Sequence, residues 1–222
     1  MKKYELVIFD LDGTILDTLD DLTDSVNYAL EKHGYPTRTK AEIRNFVGDG
    51  LLMLVRRAIA PETDEVVIQT VLATQKAYYK VHCADKTKPY EGIMGVLEDL
   101  KTAGHKLAVV SNKADYAVQI LCEQYFAGIF DMTVGEKETV RKKPAPDSVY
   151  AVLDELQVEK ENAVYIGDSE VDIETAKNAG LDAVLVTWGF RDTEFLREKG
   201  AKTLINDVKE LKKALIHETF LL

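Results

Sequence analysis

The first apolar run of the chain is short and ends abruptly. Residues Tyr4 to Phe9 are rich in apolar and β-favouring side chains, and the run stops at Asp10-Leu11-Asp12-Gly13. A run of this length that is bounded by turn residues is typical of a fully buried strand. We therefore predict a first strand that carries carboxylates at its C-terminal end.

The next stretch, from Asp17 to about His82, has the period of amphipathic helices. Apolar residues recur there every three to four positions. The first predicted stripe is Leu19, Leu22, Val26 and Ala29, and the second is Val67, Val71, Thr74, Tyr78 and Val81. Gly34-Tyr35-Pro36 and Ala60-Pro61 interrupt the pattern, so we predict several separate helices.

After residues 85–91 the pattern alternates between helix and strand. The predicted strands are Lys106–Val110, Phe130–Val134, Ala163–Ile166 and Ala183–Val186. An apolar stripe of Val149, Val152, Leu153 and Leu156 indicates one intervening helix, and Asp172–Ala179, ended by Gly180, indicates another. This alternation predicts an α/β fold with a Rossmann-like, doubly wound parallel sheet. We expect residues 1–16 and 86–222 to form this core, and residues 17–85 to form an inserted helical domain.

Charge and cysteine content narrow the partners and the compartment. The formal net charge is −10, with 38 acidic and 28 basic side chains. Such a field repels nucleic acid and anionic membranes, so we expect neither as a partner. Cys83 and Cys122 form no close pair, and the apolar run before Asp10 is too short for a membrane span. We therefore expect a cytoplasmic protein.

Polar side chains gather at the predicted strand ends. In open α/β sheets, ligands bind beyond the carboxyl ends of the strands. These ends carry Asp10, Ser111-Asn112, Gly135-Glu136 and Gly167-Asp168. Three of the four ends offer groups suited to a metal ion or a phosphate.

Each motif also has a purely structural interpretation. Asp10 and Asp12 share one face of an extended segment, but Asp-Gly also closes hairpins. Ser111 and Asn112 are equally typical of helix caps. The carboxylates of Asp168 and Asp172 lie one helical turn apart.

The remaining alternatives concern a helix start and a basic loop. Ser169 and the acids around it could cap a helix and complement its dipole. Lys143, within Arg141-Lys142-Lys143-Pro144-Ala145-Pro146, belongs to the most concentrated basic patch of an acidic chain, although such runs are usually solvated surface.

Taken together, the motifs resemble a known family. Asp-x-Asp-Gly-Thr after the first strand, Ser after the second, Lys before Pro-x-Pro-Asp, and Gly-Asp-x-x-x-Asp after the fourth are similar to the four motifs of the haloacid dehalogenase superfamily. The resemblance covers essentially the whole chain, and the insertion resembles the helical cap domain of that family. Gly48-Asp49-Gly50 before a Leu-rich helix is similar to the phosphoglycolate phosphatase branch.

The resemblance implies a set of roles. Asp10 attacks phosphorus and becomes an aspartyl phosphate, while Asp12 protonates the leaving oxygen and then activates water. Asp10, the backbone carbonyl of Asp12, and Asp168 bind Mg²⁺, with Asp172 as an outer partner. Ser111, Asn112 and Lys143 bind the phosphoryl group of a small phosphorylated metabolite, and Thr14 supports the loop of the nucleophile.

Electrostatics explains why such a site needs a cation. A phosphate beside two carboxylates is repelled by roughly 4 kcal/mol per charge pair at ~4 Å and an effective dielectric of ~20. Mg²⁺ supplies the missing positive charge, and it prefers oxygen ligands. The implied activity is therefore that of a magnesium-dependent phosphatase.

Several alternatives stay open at the level of sequence. A sugar-phosphate mutase, a pyrophosphatase or a nucleotidase would use the same centre, and a non-enzymatic module would only bind phosphate. The dehalogenases of the superfamily lack the second acid, so Asp12 favours phosphoryl chemistry. Arg44, Arg56 and Arg57 are candidates to meet a substrate carboxylate. The final Phe220-Leu221-Leu222 is either a disordered tail or a contact patch, and the sequence does not predict the oligomeric state.

Overall fold

A six-stranded parallel sheet forms the centre of the protein. The computed structural model describes residues 4–216, so the terminal Phe220, Leu221 and Leu222 lie outside the described residues. The strands are β1 (Leu6–Phe9), β2 (Leu16–Asp17), β3 (Lys88–Pro89), β4 (Lys106–Ala114), β5 (Met132–Glu136), β6 (Ala163–Gly167), β7 (Asp182–Val186) and β8 (Leu204–Ile205). The order in the large sheet is β5-β4-β1-β6-β7-β8, with every pair parallel. The predicted α/β fold is confirmed.

Helices cover both faces of this sheet. They are α1 (Leu19–Lys32), α2 (Lys40–Phe46), α3 (Leu51–Ala58), α4 (Glu65–His82), α5 (Ile93–Thr102), α6 (Asp115–Phe126), α7 (Asp147–Leu156), α8 (Glu170–Ala179), α9 (Thr193–Glu198) and α10 (Val208–Ile216). In β1, Val7 and Phe9 enter one hydrophobic cluster, whereas Leu6 and Ile8 enter the other. Successive side chains of a strand point to opposite faces of the sheet, and both faces are covered here. All four side chains of β1 are therefore buried, which explains why the strand is a continuous apolar run in the sequence.

Helices α1 to α4 form the helical cap region between β2 and β3. The two short strands pair antiparallel, with Leu16 opposite Pro89 and Asp17 opposite Lys88. This pairing brings together the two points at which the chain enters and leaves the cap region. The domain boundaries at 16/17 and 85/86 stay a prediction. No helix among residues 4–216 combines the length and the apolar character needed to cross a membrane.

The predicted stripe on α4 has the right period and the wrong phase. The buried residues are Ile68, Val71, Leu72, Gln75 and Tyr79. Val81 is 72% exposed, and Val67 is not fully buried. The buried face includes Gln75, whose amide donates to Ser25 Oγ at 3.1 Å, so hydropathy alone does not identify that face.

Two strand predictions also need correction. The predicted strand Phe130–Val134 is observed at Met132–Glu136, because Phe130 packs edge-on against Phe9 and Phe126 instead of joining the ladder. The sequence pattern predicts helix from Asp17 onward, yet β2 occupies Leu16–Asp17 and pairs with β3. Two-residue strands such as β2, β3 and β8 are too short to produce a periodic signal.

Candidate active site

The candidate site lies at the carboxyl edge of the three central strands. β1 pairs with β4 on one side and with β6 on the other, in a register that sets Phe9 beside Val109 and Ile166. The residues that follow, among them Asp10 and Asp168, therefore emerge together at one edge. Both carboxylates are buried.

Three buried carboxylates converge at this edge. Asp10, Asp168 and Asp172 each offer a ligand oxygen, and these atoms lie within 4.8 Å of one another. Burial raises the pKa of Asp10 from its ordinary 3.8 to about 6; Lys143 opposes this shift, and Asp172 and Asp12 add to it. Burial and the two neighbouring acids raise the pKa of Asp168 well above its ordinary value. The three carboxylates therefore carry more negative charge than their surroundings neutralise, and their all-oxygen donor set matches the preference of Mg²⁺.

Lys143 is the cation that faces this cluster. Its Nζ lies 3.0 Å from Asp10 Oδ1 and donates to Asp172 Oδ1 at 2.7 Å. It also donates to Tyr165 Oη at 2.9 Å, and that hydroxyl donates to the Val110 carbonyl. Burial alone would lower the pKa of Lys143, but the carboxylates of Asp10 and Asp172 raise it. Lys143 is therefore a charged, buried side chain and not part of a solvated surface.

Asp168 is held by close backbone packing. Its carboxylate accepts from Phe190 N at 2.6 Å and from Thr14 Oγ1 at 3.3 Å. A Cβ at Gly13 or Gly189 would lie 2.3 Å from Asp168 Oδ2, so glycine is required at both positions. Gly13 also has φ +83°, which favours glycine. Thr14 thus contacts Asp168, at the edge of the cluster.

Asp172 is already occupied by protein partners. Its Oδ2 accepts from Asp168 N, Ser169 N and Ser169 Oγ, at 3.2, 3.1 and 2.7 Å. Its Oδ1 accepts from Lys143. Ser169 is the N-cap residue of α8, as the structural interpretation of that motif proposed. Asp172 therefore orients Lys143 and the start of α8.

Ser111 and Asn112 do not cap a helix. They lie within β4, and the N-cap of α6 is Ala114, so the capping interpretation is wrong. Asn112 Nδ2 donates to the carbonyls of Gly48 and Lys143, at 3.1 and 3.0 Å. Asn112 Oδ1 is buried without a hydrogen-bond partner among the described residues. The Asn112 side chain therefore ties the cap region to the Lys143 loop.

Asp12 points away from the carboxylate cluster and towards Lys113. Lys113 Nζ donates to both Asp12 oxygens, at 2.8 and 3.2 Å, and to Tyr79 Oη of α4 at 2.5 Å. Neither Lys113 nor Tyr79 has a role that the sequence motifs predict. For Lys113, the sequence signal that could have indicated a role was its position as a basic residue near the end of an apolar strand. Tyr79 carried no signal, because a helical tyrosine is ordinary core.

A cavity connects these groups with the cap region. Asp10, Asp12, Ser111, Asn112, Lys113 and Asp168 line its floor, and Leu22, Val47, Leu51 and Leu54 line its roof. The roof comes close to the core at Gly50, where a Cβ would lie 2.7 Å from Glu136 Oε2 and 3.3 Å from the Asn112 carbonyl. Gly50 has φ +82°, and it is this backbone conformation that favours glycine, since the tip of the Glu136 side chain can move.

The three arginines considered for substrate recognition lie outside the lining of this cavity. Arg44 donates to Asp192, Arg56 to Glu65, and Arg57 to Asp49. Arg191, which no sequence motif indicates, does line the cavity. It donates to Glu170 and to the Val47 carbonyl of the cap region, at 2.7 and 2.8 Å.

Comparisons with known proteins agree with this architecture. The family model for haloacid dehalogenase-like hydrolases matches residues 7–186. A phosphoglycolate phosphatase from Pseudomonas savastanoi pv. phaseolicola is 31% identical over 217 residues, which cover 95% of this chain and 79% of that protein. A phosphoglycolate phosphatase from Aquifex aeolicus is 33% identical over 186 residues, covering 83% of this chain and 85% of that protein.

Solved structures of similar proteins have the same fold as this chain. A phosphoglycolate phosphatase candidate from Lactobacillus delbrueckii subsp. bulgaricus superposes with a TM-score of 0.92 at 40% identity, covering 96% of this chain and 99% of that one. CbbY from Rhodobacter sphaeroides, solved in complex with phosphate, superposes with a TM-score of 0.76 at 26% identity, covering 94% and 96%. The extent of these matches and the convergence of the motif residues at one sheet edge lead to one conclusion: this chain belongs to the haloacid dehalogenase-like hydrolase family.

Proposed function

We propose that the protein is a magnesium-dependent phosphatase that hydrolyses a small phosphomonoester similar to phosphoglycolate through an aspartyl phosphate on Asp10. The observation that carries this proposal is the buried cluster of Asp10, Asp168 and Asp172 with Lys143 beside it. The names of the phosphoglycolate phosphatase relatives support the substrate class. The phosphate bound by CbbY supports the phosphoryl chemistry.

The donor atoms fit a resident Mg²⁺ ion. Asp10 and Asp168 would hold it together with the backbone carbonyl of Asp12, whereas the carboxylate of Asp172 is already engaged by Lys143 and Ser169. When bound, the ion supplies the positive charge that lets a phosphate group approach these carboxylates. The raised pKa values of Asp10 and Asp168 support a site that requires such a charge.

In the first half of the reaction, an oxygen of Asp10 attacks phosphorus. The phosphorus–oxygen bond to the alcohol breaks, and Asp12 gives its proton to the leaving oxygen. Lys143 neutralises charge on Asp10 and on the phosphoryl oxygens, and the Ser111 hydroxyl donates to the same oxygens. Both Nδ2 protons of Asn112 are already bonded to the Gly48 and Lys143 carbonyls, so Asn112 would donate to the phosphoryl group through its backbone N–H. The alcohol leaves and Asp10 carries the phosphoryl group.

In the second half, water attacks phosphorus and Asp12 takes the proton of that water. The bond between phosphorus and Asp10 breaks, which releases inorganic phosphate and restores the carboxylate. Asp12 is then protonated, ready for the next ester. The apolar roof of Leu22, Leu51 and Leu54 excludes bulk water from this cycle.

A substrate panel tests the proposal. We expect release of inorganic phosphate from phosphoglycolate and other small phosphomonoesters in the presence of Mg²⁺, and loss of turnover after chelation with EDTA. Pyrophosphate, nucleoside monophosphates and hexose phosphates, with product analysis for isomers, separate the pyrophosphatase, nucleotidase and mutase alternatives. Absence of phosphate release from every ester in the panel would overturn the proposed activity.

The pH dependence of stability offers a further prediction. The pKa of Asp10 in the folded protein, about 6, lies above its ordinary 3.8. A group of this kind adds stability that is fully present below the ordinary pKa and is lost as the pH rises through the folded-state pKa. Without metal, we therefore expect the contribution of Asp10 to the free energy of unfolding to fall by about 2.4 kcal/mol between pH 4 and pH 7.5.

The Asp10→Asn variant isolates this contribution, because its side chain stays neutral at every pH. In EDTA, thermal or urea unfolding should show the variant more stable than wild type at pH 7.5 and similar to it at pH 4. Mg²⁺ should stabilise wild type at pH 7.5 more than it stabilises the variant. Equal stabilities at both pH values would contradict the assignment of Asp10 to a charge-deficient metal site.

A further inference from the structure

Each of the two carboxylates of the Asp-x-Asp motif contacts a lysine that is hydrogen-bonded to a tyrosine. Lys143 contacts Asp10 and donates to Tyr165 Oη, as described above. Lys113 contacts Asp12 and donates to Tyr79 Oη. Tyr165 lies on β6 of the core, so the first pair is built from core elements alone. Tyr79 lies on α4, so the second pair joins the core to the cap region.

The carboxylate of Asp12 depends on Lys113 for its placement. Within residues 4–216, both of its oxygens accept hydrogen bonds from Lys113 Nζ, and no other donor to them is found. Lys113 in turn is 4% exposed, and Tyr79 is fully buried. A buried ammonium that is held by a fixed hydroxyl leaves the carboxylate little freedom to rotate.

The cap region reaches Asp12 through one tyrosine. Lys113 Nζ lies 4.8 Å from the centre of the Tyr79 ring as well as 2.5 Å from its hydroxyl. Helix α4 packs mainly against α1 and α3. The other residues on its buried face are Ile68, Val71, Leu72 and Gln75, and Gln75 donates to Ser25 of α1. Tyr79 thus differs from the rest of this face, because its hydroxyl accepts a hydrogen bond from Lys113 of the core.

We propose that Lys113 and Tyr79 are positioning residues that hold the Asp12 carboxyl at the leaving-group oxygen, so that the cap region takes part in proton transfer. The proposal rests on the proposed phosphatase function and adds residues to it. Lys113 orients the Asp12 carboxyl, and the hydroxyl of Tyr79 holds Lys113 in place. Neither side chain exchanges a proton with substrate.

Leaving-group dependence tests this role. Ester hydrolysis of phosphoglycolate requires protonation of an alkoxide, whereas acetyl phosphate of similar size expels acetate, which needs no proton. A misplaced Asp12 should therefore slow transfer from phosphoglycolate and spare transfer from acetyl phosphate. The measured quantity is kcat/KM, because it reports the steps up to phosphoryl transfer to Asp10 and not the later hydrolysis.

For Tyr79→Phe, we expect kcat/KM with phosphoglycolate to fall about 10- to 100-fold. This loss is smaller than the full rate enhancement of a general acid, because Asp12 itself is retained. With acetyl phosphate we expect a change smaller than about threefold. Removal of the hydroxyl keeps the ring, so core packing is retained. If Tyr79→Phe unfolds at the assay temperature, Lys113→Gln replaces it, with the same expected selectivity for the alkyl ester.

Two matched tyrosine variants complete the design. Tyr165→Phe removes the hydroxyl that accepts a hydrogen bond from Lys143, the lysine beside Asp10. This variant should therefore lower kcat/KM with both substrates by a similar factor. Tyr116 Oη is buried without a hydrogen-bond partner among the described residues, so Tyr116→Phe should leave both values unchanged. An equal loss with both substrates in Tyr79→Phe would overturn the positioning role. Failure of wild type to hydrolyse either substrate would instead reject the phosphatase function.

Discussion

Replacement of Asp10 by Asn should lower phosphatase turnover by about 10⁴-fold or more, because it removes the attacking oxygen of the reaction. The substitution preserves the shape of the side chain. It also removes one of the converging oxygens of the carboxylate cluster. Steady-state phosphate release with excess Mg²⁺ measures the loss. Retention of the phosphoryl group on acid-quenched protein, in wild type and not in the variant, would identify the intermediate.

Asp24→Asn is the matched control for this experiment. Asp24 lies on α1 and is partly exposed, with its carboxylate paired to Lys86. The same change of charge there should leave turnover near that of wild type. Turnover of Asp10→Asn within tenfold of wild type, or phosphoryl label on the variant, would show that another residue is the nucleophile.

Lys143→Met should damage both stability and activity. Lys143 is buried between Asp10 and Asp172, and removal of one partner from a buried ion pair costs about 3 to 5 kcal/mol. Loss of a donor to the phosphoryl oxygens should lower kcat by about 10²- to 10³-fold. Urea unfolding in EDTA at pH 7.5 measures the first effect, and phosphate release with Mg²⁺ measures the second.

Lys142→Met provides the comparison at the adjacent position. Lys142 Nζ donates to the Asp49 carbonyl at 2.7 Å and its side chain is 36% exposed, so a small effect on stability is expected. Because the two variants differ by one position in the same loop, general disturbance of the loop would affect both. A Lys143→Met protein as stable and as active as Lys142→Met would refute the assigned role of Lys143.

The core of the fold was predictable because its signals are local and strong. The apolar runs of β1, β4 and β6 are buried on both faces, and their polar ends, such as Asp10 and Asp168, interrupt the apolar pattern sharply. The parallel order of these strands places the ends at one edge, as the general rule for α/β sheets requires. The convergence of Asp10 with Asp168 therefore followed from position in the strands.

The contacts made by the cap region were not predictable in the same way. Hydropathy placed the buried stripe of α4 on Val67 and Val81, whereas the helix buries Gln75 and Tyr79 through polar partners. A hydrogen bond between Tyr79 and Lys113 joins residues 34 positions apart, and no periodic pattern encodes it. Arg191 likewise acquires its position through the carbonyls of Arg44 and Val47, which are more than 140 residues away along the chain.

The antiparallel pair of β2 and β3 has a consequence for how this protein can change over evolutionary time. Since Leu16 sits opposite Pro89, the chain leaves the catalytic scaffold and returns to it at neighbouring points, so the segment between them behaves as an exchangeable cassette. Its length and composition can vary with little effect on the closure of the surrounding backbone. Mutations in that segment can consequently leave the strands in place, except at positions such as Tyr79 that contact the core.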